Sequence, residues 1–109
     1  MEINEYQKQA MKSLNPSLNN DEVLLNGVMG LCGESGEVID ILKKHLSQGH
    51  ELNRDKMIEE LGDVAWYLAE TAYALGVDLD TVVNNNLVKL QKRYPEGFNV
   101  EKSINRSKE

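Results

Sequence analysis

Residues 54–75 read RDKMIEELGDVAWYLAETAYAL, and this stretch decides the fold class. Its apolar residues recur at spacings of three and four positions, which places their side chains on one face of an α-helix. Gly76 follows the last of them and is typical of a helix end, because glycine adopts the left-handed conformation of a C-cap without steric cost. The stretch predicts a long amphipathic helix whose apolar stripe consists of Met57, Leu61, Val64, Leu68, Ala72 and Leu75.

The same spacing predicts three further helices. The first covers residues 3–14, and the second runs from about Asn20 or Asp21 to about His45. The last begins at Asp78 or Asp80, either of which is a suitable N-cap, and ends before Pro95. With the helix described above, the chain is therefore expected to form four helices joined by short loops.

The expected fold class is all-α, because no alternating run typical of a β-strand appears in the sequence. Four helices with short connections indicate a four-helix-type bundle with antiparallel neighbours. A length of 109 residues suits one domain. We expect a single helical domain over residues 1–98, followed by a short polar C-terminal tail over residues 99–109.

The charge of the chain is acidic and unevenly distributed. Eighteen Asp and Glu residues stand against twelve Lys and Arg residues, for a net charge of -6. This balance argues against binding to a nucleic-acid polymer, which relies on clustered Lys and Arg. Residues 86–109 nevertheless carry six basic and three acidic side chains, a net of +3, which leaves -9 on residues 1–85.

The sequence offers no signal for export or for a membrane. Cys32 is the only cysteine, so no intramolecular disulfide forms. No apolar run approaches the roughly 18 to 20 residues that span a bilayer, and the N-terminus lacks the basic start and apolar stretch of a signal peptide. We therefore expect a cytoplasmic protein that does not bind membranes.

Four glycines recur at every third position of the second predicted helix, at Gly27, Gly30, Gly33 and Gly36. Each is unfavourable in a helix interior by about 0.5 to 1 kcal/mol relative to alanine. One interpretation is close packing against a neighbouring helix. A second is that Gly33 and Gly36 clear space for a bulky charged ligand. The two interpretations are compatible.

Two acidic motifs, Glu34-x-x-Glu37 and Glu60-x-x-Asp63, lie on the second and third predicted helices. Positions i and i+3 share a helix face, so antiparallel packing would bring four carboxylates together. A single pair of this kind is usually a solvated surface. Both pairs here lie among apolar residues, and converging anions require bound cations or protonation. All-oxygen ligands favour a hard ion, Mg²⁺ or Mn²⁺.

A di-iron site is excluded by the motif chemistry. Helical di-iron sites use Glu-x-x-His on two helices. Glu34 and Glu60 are followed at i+3 by further acids, and neither His45 nor His50 has a Glu three residues before it.

Polar, cationic and aromatic side chains that could bind a nucleotide also occur at helical spacing. Asn86, Lys89 and Arg93 share one face of the last predicted helix, and Lys44 lies two turns beyond Glu37; such groups suit the phosphates of a triphosphate. Tyr67 shares the face of Asp63, with Trp66 beside it, and either ring could stack on a nucleobase. A solvated basic stripe and aromatic core packing are the alternatives.

These motifs resemble the MazG-like family of all-α nucleoside triphosphate pyrophosphohydrolases, whose pattern is EExxE, a spacer and EExxD. Residues 33–37 read GESGE and residues 59–63 read EELGD. The resemblance continues to KLQKRYPEGF at residues 89–98 and covers about residues 20–98. Gly33 takes the place of the first glutamate of EExxE.

The resemblance implies hydrolysis of a nucleoside or deoxynucleoside triphosphate to the monophosphate and pyrophosphate, by a homodimer or homotetramer that clears noncanonical or excess nucleotides. It implies Mg²⁺, with Mn²⁺ as the alternative, held by Glu34, Glu37, Glu60 and Asp63. Glu59, or a ligand such as Glu60, is the candidate that orients the attacking water. Substrate contacts are expected from Lys44, Trp66, Tyr67, Asn86, Lys89 and Arg93.

Two other functions remain open on the sequence. One is the related phosphoribosyl-ATP pyrophosphohydrolase of histidine synthesis, which uses a similar helical metal site. The other is a non-catalytic helical dimerisation module whose acidic pairs are surface decoration. The Trp66-Tyr67 pair and the segment RYPEGF at residues 93–98 favour the MazG type.

Overall fold

A computed structural model describes residues 1–106, and all regular secondary structure in that part of the chain is helical. An isolated bridge pairs Pro95 with Gly97. The prediction of an all-α fold is confirmed. The helices are α1 (Ile3–Ala10), which continues as a 3₁₀ turn (Met11–Ser13), then α2 (Asn20–Ser47), α3 (Arg54–Ala74), α4 (Leu79–Arg93) and α5 (Val100–Ile104).

The chain divides into two compact units, Met1–Leu79 and Asp80–Glu109. The first unit holds α1, α2, α3 and the first residue of α4, and the second unit holds the rest of α4 and α5. A single domain over residues 1–98 stays a prediction. Residues 107–109, the end of the expected polar tail, lie outside the described residues.

Within the expected tail, the structure shows the short helix α5. It begins where the Asn99 side chain accepts a hydrogen bond from the backbone N–H of Lys102 at 3.0 Å. This cap explains why a polar segment with few apolar residues forms a helical turn.

A capping box fixes the start of α2. The Asn19 side chain accepts from the backbone N–H of Glu22 at 2.9 Å, and the Glu22 carboxylate accepts from the Asn19 N–H at 3.0 Å. The N-cap is therefore Asn19 rather than Asn20 or Asp21, because Asn19 has a glutamate three residues after it.

Helices α2 and α3 pack in antiparallel register along a seam that runs towards the acidic motifs. Near one end, Asn26 Nδ2 donates to both carboxylate oxygens of the fully buried Glu70, at 2.9 Å each. One residue further, Gly27 faces the backbone and hydroxyl of Thr71. Together these contacts fix how the two helices are aligned.

The four regularly spaced glycines of α2 fall into two pairs. A Cβ at Gly27 or Gly30 would overlap Thr71 or the ring of Tyr67, so these two glycines permit close packing. A Cβ at Gly33 or Gly36 would meet no atom within 4 Å among the described residues. Packing therefore explains the first pair, and open space surrounds the second.

Alanine substitutions at Gly30 and Gly33 are expected to change stability in opposite directions. Gly30→Ala should lower the free energy of unfolding by about 1–3 kcal/mol, because the methyl group displaces the Tyr67 ring. Gly33→Ala should raise it by about 0.5–1 kcal/mol through helix propensity alone. Urea denaturation of both variants tests this, and effects of the same sign would contradict the assignment of the two glycines.

Helix α1 is tied to α3 and to the turn after it by buried polar contacts. The Gln7 amide donates to the carbonyls of Ala69 and Val77, at 3.2 and 3.3 Å, and its oxygen accepts from the Leu79 N–H at 2.9 Å. These contacts fix α1 against the C-terminal part of α3. In residues 1–106 the buried hydrophobic residues are Val23, Ala69, Ala72, Ala74 and Leu79.

None of the helices in residues 1–106 is both long enough and apolar enough to cross a lipid bilayer.

Candidate metal centre

Three carboxylates from the two acidic motifs converge between α2 and α3. Glu34 comes from α2, and Glu60 and Asp63 come from α3; one oxygen of each lies within 4.8 Å of the others. The antiparallel register explains the meeting. The contact of Gly30 with Tyr67 places Glu34, one turn further along α2, opposite Asp63, one turn earlier on α3.

The protons of this cluster are unevenly divided between Glu34 and Glu60. Their side chains share a hydrogen bond which, with burial and the neighbouring carboxylates, raises the pKa of Glu34 to about 7. The same hydrogen bond, together with the ammonium of Lys56, lowers the pKa of Glu60. The shared hydrogen bond therefore favours the protonated form of Glu34 and the anionic form of Glu60.

The donor set fits a hard divalent cation. All three groups offer oxygen ligands, which Mg²⁺ and Mn²⁺ prefer. Oε2 of Glu34 is buried and has no hydrogen-bond partner among the described residues, so one carboxylate oxygen of a cluster member is unsatisfied. Buried polar atoms without partners are rare in folded proteins and point to an ion or water.

Glu37, the fourth predicted ligand, lies outside this group of three. It is exposed and lines a cleft of about 300 Å³ between α2 and the start of α3, which we call the loop-side cleft. Its charge still contributes to the raised pKa of Glu34. A ligand role for Glu37 stays a prediction.

Lys44 also lines the loop-side cleft. Its ammonium lies 3.0 Å from the carboxylate of Asp40, and this ion pair holds the pKa of Asp40 below its usual value. The structure thus places Lys44 at the cleft but pairs it with an acid. Phosphate binding by Lys44 stays a prediction.

The two predicted aromatic residues line a second cleft, of about 420 Å³, which we call the aromatic cleft. Trp66 and Tyr67 meet edge to face, with ring centroids 5.2 Å apart, and share the cleft with Glu34, Asp63 and Ser13. The structure therefore brings both rings next to two of the three acids.

Trp66 has a further role that the sequence did not reveal. Its indole N–H donates to the Ala10 carbonyl and to Ser13 Oγ, each at 3.0 Å, and so ties the end of α1 to α3. The 3₁₀ turn that holds Ser13 is remote in sequence from the acidic motifs, and no sequence signal connected Ser13 with the site.

Sequence reasoning also missed Lys56. Its ammonium lies 3.1 Å from a carboxylate oxygen of Glu60 and 3.6 Å from one of Glu59. The i, i+4 spacing of Lys56 and Glu60 on α3 was the available signal. The exposed Glu59, proposed to orient water, contacts Lys56 and is not among the three converging acids. A catalytic role for Glu59 stays a prediction.

The three predicted phosphate contacts on α4, Asn86, Lys89 and Arg93, belong to the second compact unit. Lys89 lines a shallow cleft with Lys92 on the same helix. The guanidinium carbon of Arg93 lies 6.0 Å from the centroid of the Tyr94 ring. Their contact with substrate stays a prediction.

The raised pKa of Glu34 predicts a pH dependence of the metal-free protein. From about pH 4.5 to about 7, native Glu34 keeps a proton that the unfolded chain loses, so the free energy of unfolding contributed by Glu34 falls as the pH rises. The lowered pKa of Glu60 acts in the opposite sense, below its ordinary value of 4.5. Glu34→Gln removes the first effect.

We therefore expect the stability of Glu34→Gln relative to the wild type to increase between pH 5 and pH 7 when both are free of metal. Urea denaturation in EDTA at three pH values measures the difference. Parallel pH profiles for the two proteins would contradict the assigned protonation of Glu34.

Comparisons with known proteins agree with this architecture. The family model described as the MazG nucleotide pyrophosphohydrolase domain matches residues 25–98. The chain is similar to the "Gene 37 protein" of Mycobacterium phage L5, with 47% identity over 73 residues that cover 63% of this chain and 64% of the phage protein. A search of the solved structures gave no significant match. The chain belongs to the MazG nucleotide pyrophosphohydrolase domain family.

Proposed function

We propose that this protein is a Mg²⁺-dependent nucleoside triphosphate pyrophosphohydrolase, which converts a nucleoside or deoxynucleoside triphosphate and water to the monophosphate and pyrophosphate. The observation that carries the proposal is the convergence of Glu34, Glu60 and Asp63 beside a cleft lined by Trp66 and Tyr67. Family membership supports a nucleotide as the substrate.

In this proposal Glu34, Glu37, Glu60 and Asp63 hold Mg²⁺, or Mn²⁺ in its place. Held there, the ion would supply Lewis-acid chemistry, activation of a water and neutralisation of charge on phosphate oxygens. The lowered pKa of Glu60 favours the anionic form that would bind the ion, whereas at Glu34, whose pKa is raised, the ion would compete with a proton that is released to solvent. Glu59 or a ligand such as Glu60 orients the attacking water.

The proposed substrate contacts come from aromatic, amide and cationic side chains. We propose that Tyr67 and Trp66 contact the nucleobase, because their rings line the aromatic cleft next to Glu34 and Asp63. Phosphate oxygens are assigned to the cationic and amide side chains of Lys44, Asn86, Lys89 and Arg93.

We propose that the protein is a homodimer or homotetramer. Five apolar side chains of α2 are more than 40% exposed, and at 3.6 residues per turn they lie on one side of the helix, three near its start and two in its second half. A second copy is the occupant that such a self-complementary helix face suits. Light scattering gives the molar mass, and a monomer would contradict the assignment. The residues of this stripe are Leu25, Val28, Met29, Ile39 and Leu46.

The proposed cellular role is the removal of noncanonical or excess nucleotides from the cytoplasm. An acidic chain with a site for single nucleotides has no need of a nucleic-acid polymer or a membrane as partner.

A panel of nucleotides with product identification tests the proposed function. Canonical and modified ribo- and deoxyribonucleoside triphosphates, together with phosphoribosyl-ATP, are incubated with protein and Mg²⁺, and products are separated by anion-exchange chromatography. We expect a monophosphate and pyrophosphate from at least one triphosphate. Turnover of phosphoribosyl-ATP alone would favour the histidine-pathway alternative. No turnover of any compound would favour a non-catalytic dimerisation module.

A further inference from the structure

The geometry around Glu60 shows a cation held at the acidic cluster by the chain itself. Lys56 lies one turn before Glu60 on α3, and its ammonium is 3.1 Å from Glu60 Oε1. The Glu60 side chain is 8% exposed, whereas that of Lys56 is 47% exposed. The ammonium therefore covers a buried carboxylate from the solvent side.

We propose that Lys56 is the counter-ion of Glu60 in the metal-free protein and that this ion pair weakens metal binding at the three-acid cluster. When Glu60 binds the metal instead, Lys56 contacts an anionic phosphate oxygen of the substrate. This inference rests on the proposed function. It assigns Lys56 to the substrate site, in addition to the residues named above.

The counter-ion part follows from electrostatics. An oxygen of Glu60 that accepts from Lys56 is occupied, so Glu60 must exchange this ion pair for a metal contact. A positive charge beside a site also disfavours a divalent cation there, because like charges repel over several ångströms. Both effects lower the affinity of the cluster for metal.

The substrate part follows from the position of Lys56. Its side chain lines the loop-side cleft with Lys44 and Glu37, so an ammonium released by Glu60 faces that cleft. Lysine suits this exchange because its flexible stem carries three rotatable donors and binds phosphate as a point charge.

The order of residues along α3 gives the direction of the substrate. Lys56 precedes Glu60 by one turn, and Tyr67 follows Asp63 by one turn. With the acids between them, the polyphosphate would extend towards Lys56 and the nucleobase towards Tyr67.

Lys56→Gln tests both parts, with Lys43→Gln as the matched control. Lys43 is likewise an exposed lysine paired with an acid of its own helix, but that acid is Asp40, three residues before it and outside the cluster. The dissociation constant of Mn²⁺ is measured without nucleotide by electron paramagnetic resonance. We expect Lys56→Gln to tighten Mn²⁺ binding about three- to tenfold. Lys43→Gln should change it less than twofold.

Lys56→Arg keeps the charge and is expected to bind Mn²⁺ as the wild type does. Unchanged or weaker Mn²⁺ binding by Lys56→Gln, or tighter binding by Lys56→Arg, would overturn the counter-ion role.

The substrate contact is tested by steady-state kinetics on a triphosphate that the wild type hydrolyses, at saturating Mg²⁺. We expect Lys56→Gln to raise KM about tenfold with a smaller change in kcat, and Lys56→Arg to restore part of the loss. An unchanged KM would overturn this contact. If the wild type binds Mn²⁺ but hydrolyses nothing, the proposed function fails, and the Mn²⁺ measurement still decides the counter-ion role.

Discussion

Glu60→Gln is expected to lower the rate of pyrophosphate release at least a hundredfold. Glu60 is the buried member of the three-acid cluster, its lowered pKa favours the anionic form, and it contacts both Glu34 and Lys56. The substitution preserves the size of the side chain but replaces a charged ligand with a neutral amide. Mg²⁺ is usually bound through only one or two protein carboxylates, so the loss of one of them should weaken metal binding. Turnover that depends on the metal should fall with it.

The measurement is initial-rate pyrophosphate release at saturating Mg²⁺ for Glu60→Gln and for the control Asp55→Asn. Asp55 is an exposed acid on the same helix and is not one of the converging acids. The control should retain at least half of the wild-type rate, and unchanged circular dichroism shows that the helices persist. A Glu60→Gln variant with more than a tenth of wild-type activity would contradict the role of Glu60.

Removal of divalent metal is expected to abolish turnover and to lower the melting temperature. A ligand that binds only the native state adds about 2.7 kcal/mol of stability at a concentration one hundred times its dissociation constant. For a domain of about 100 residues, this corresponds to a rise of roughly 10 °C or more. Metal binding also relieves the repulsion among Glu34, Glu60 and Asp63.

Differential scanning calorimetry with EDTA and with Mg²⁺ at matched ionic strength measures this effect. Matched ionic strength is required because Mg²⁺ also screens the net charge of -6. Asp63→Asn serves as the comparison. Asp63 is the exposed member of the three-acid cluster, so its substitution removes a ligand without disturbing a buried side chain. An equal rise in melting temperature for the wild type and Asp63→Asn would show that Mg²⁺ acts elsewhere on the chain.

Most of the fold could be predicted because helical spacing in this sequence is regular. The expected second helix, about residues 20–45, corresponds to α2 (Asn20–Ser47), and the stretch 54–75 corresponds to α3 (Arg54–Ala74). Helix α5 (Val100–Ile104) was not predicted, since five residues are too few to show a period. Its formation depends on the cap that Asn99 provides.

The candidate site was partly predictable for a similar reason. Spacing of three residues places Glu60 and Asp63 on one face, and antiparallel packing brings Glu34 to them. Spacing alone could not show that Glu37 lies outside the group of three or that the pKa of Glu34 is raised. Those features depend on the register between α2 and α3, which is fixed by tertiary contacts such as that of Gly30 with Tyr67.

Direct titration of the protein with Mn²⁺, followed by electron paramagnetic resonance, tests most directly whether Glu34, Glu60 and Asp63 hold the metal. We expect the wild type to remove free Mn²⁺ from solution and Mg²⁺ to displace it. We further expect Glu60→Gln and Asp63→Asn to weaken this binding at least tenfold while both variants remain folded. Wild-type affinity for Mn²⁺ in both variants would contradict the assignment of the metal centre to this cluster.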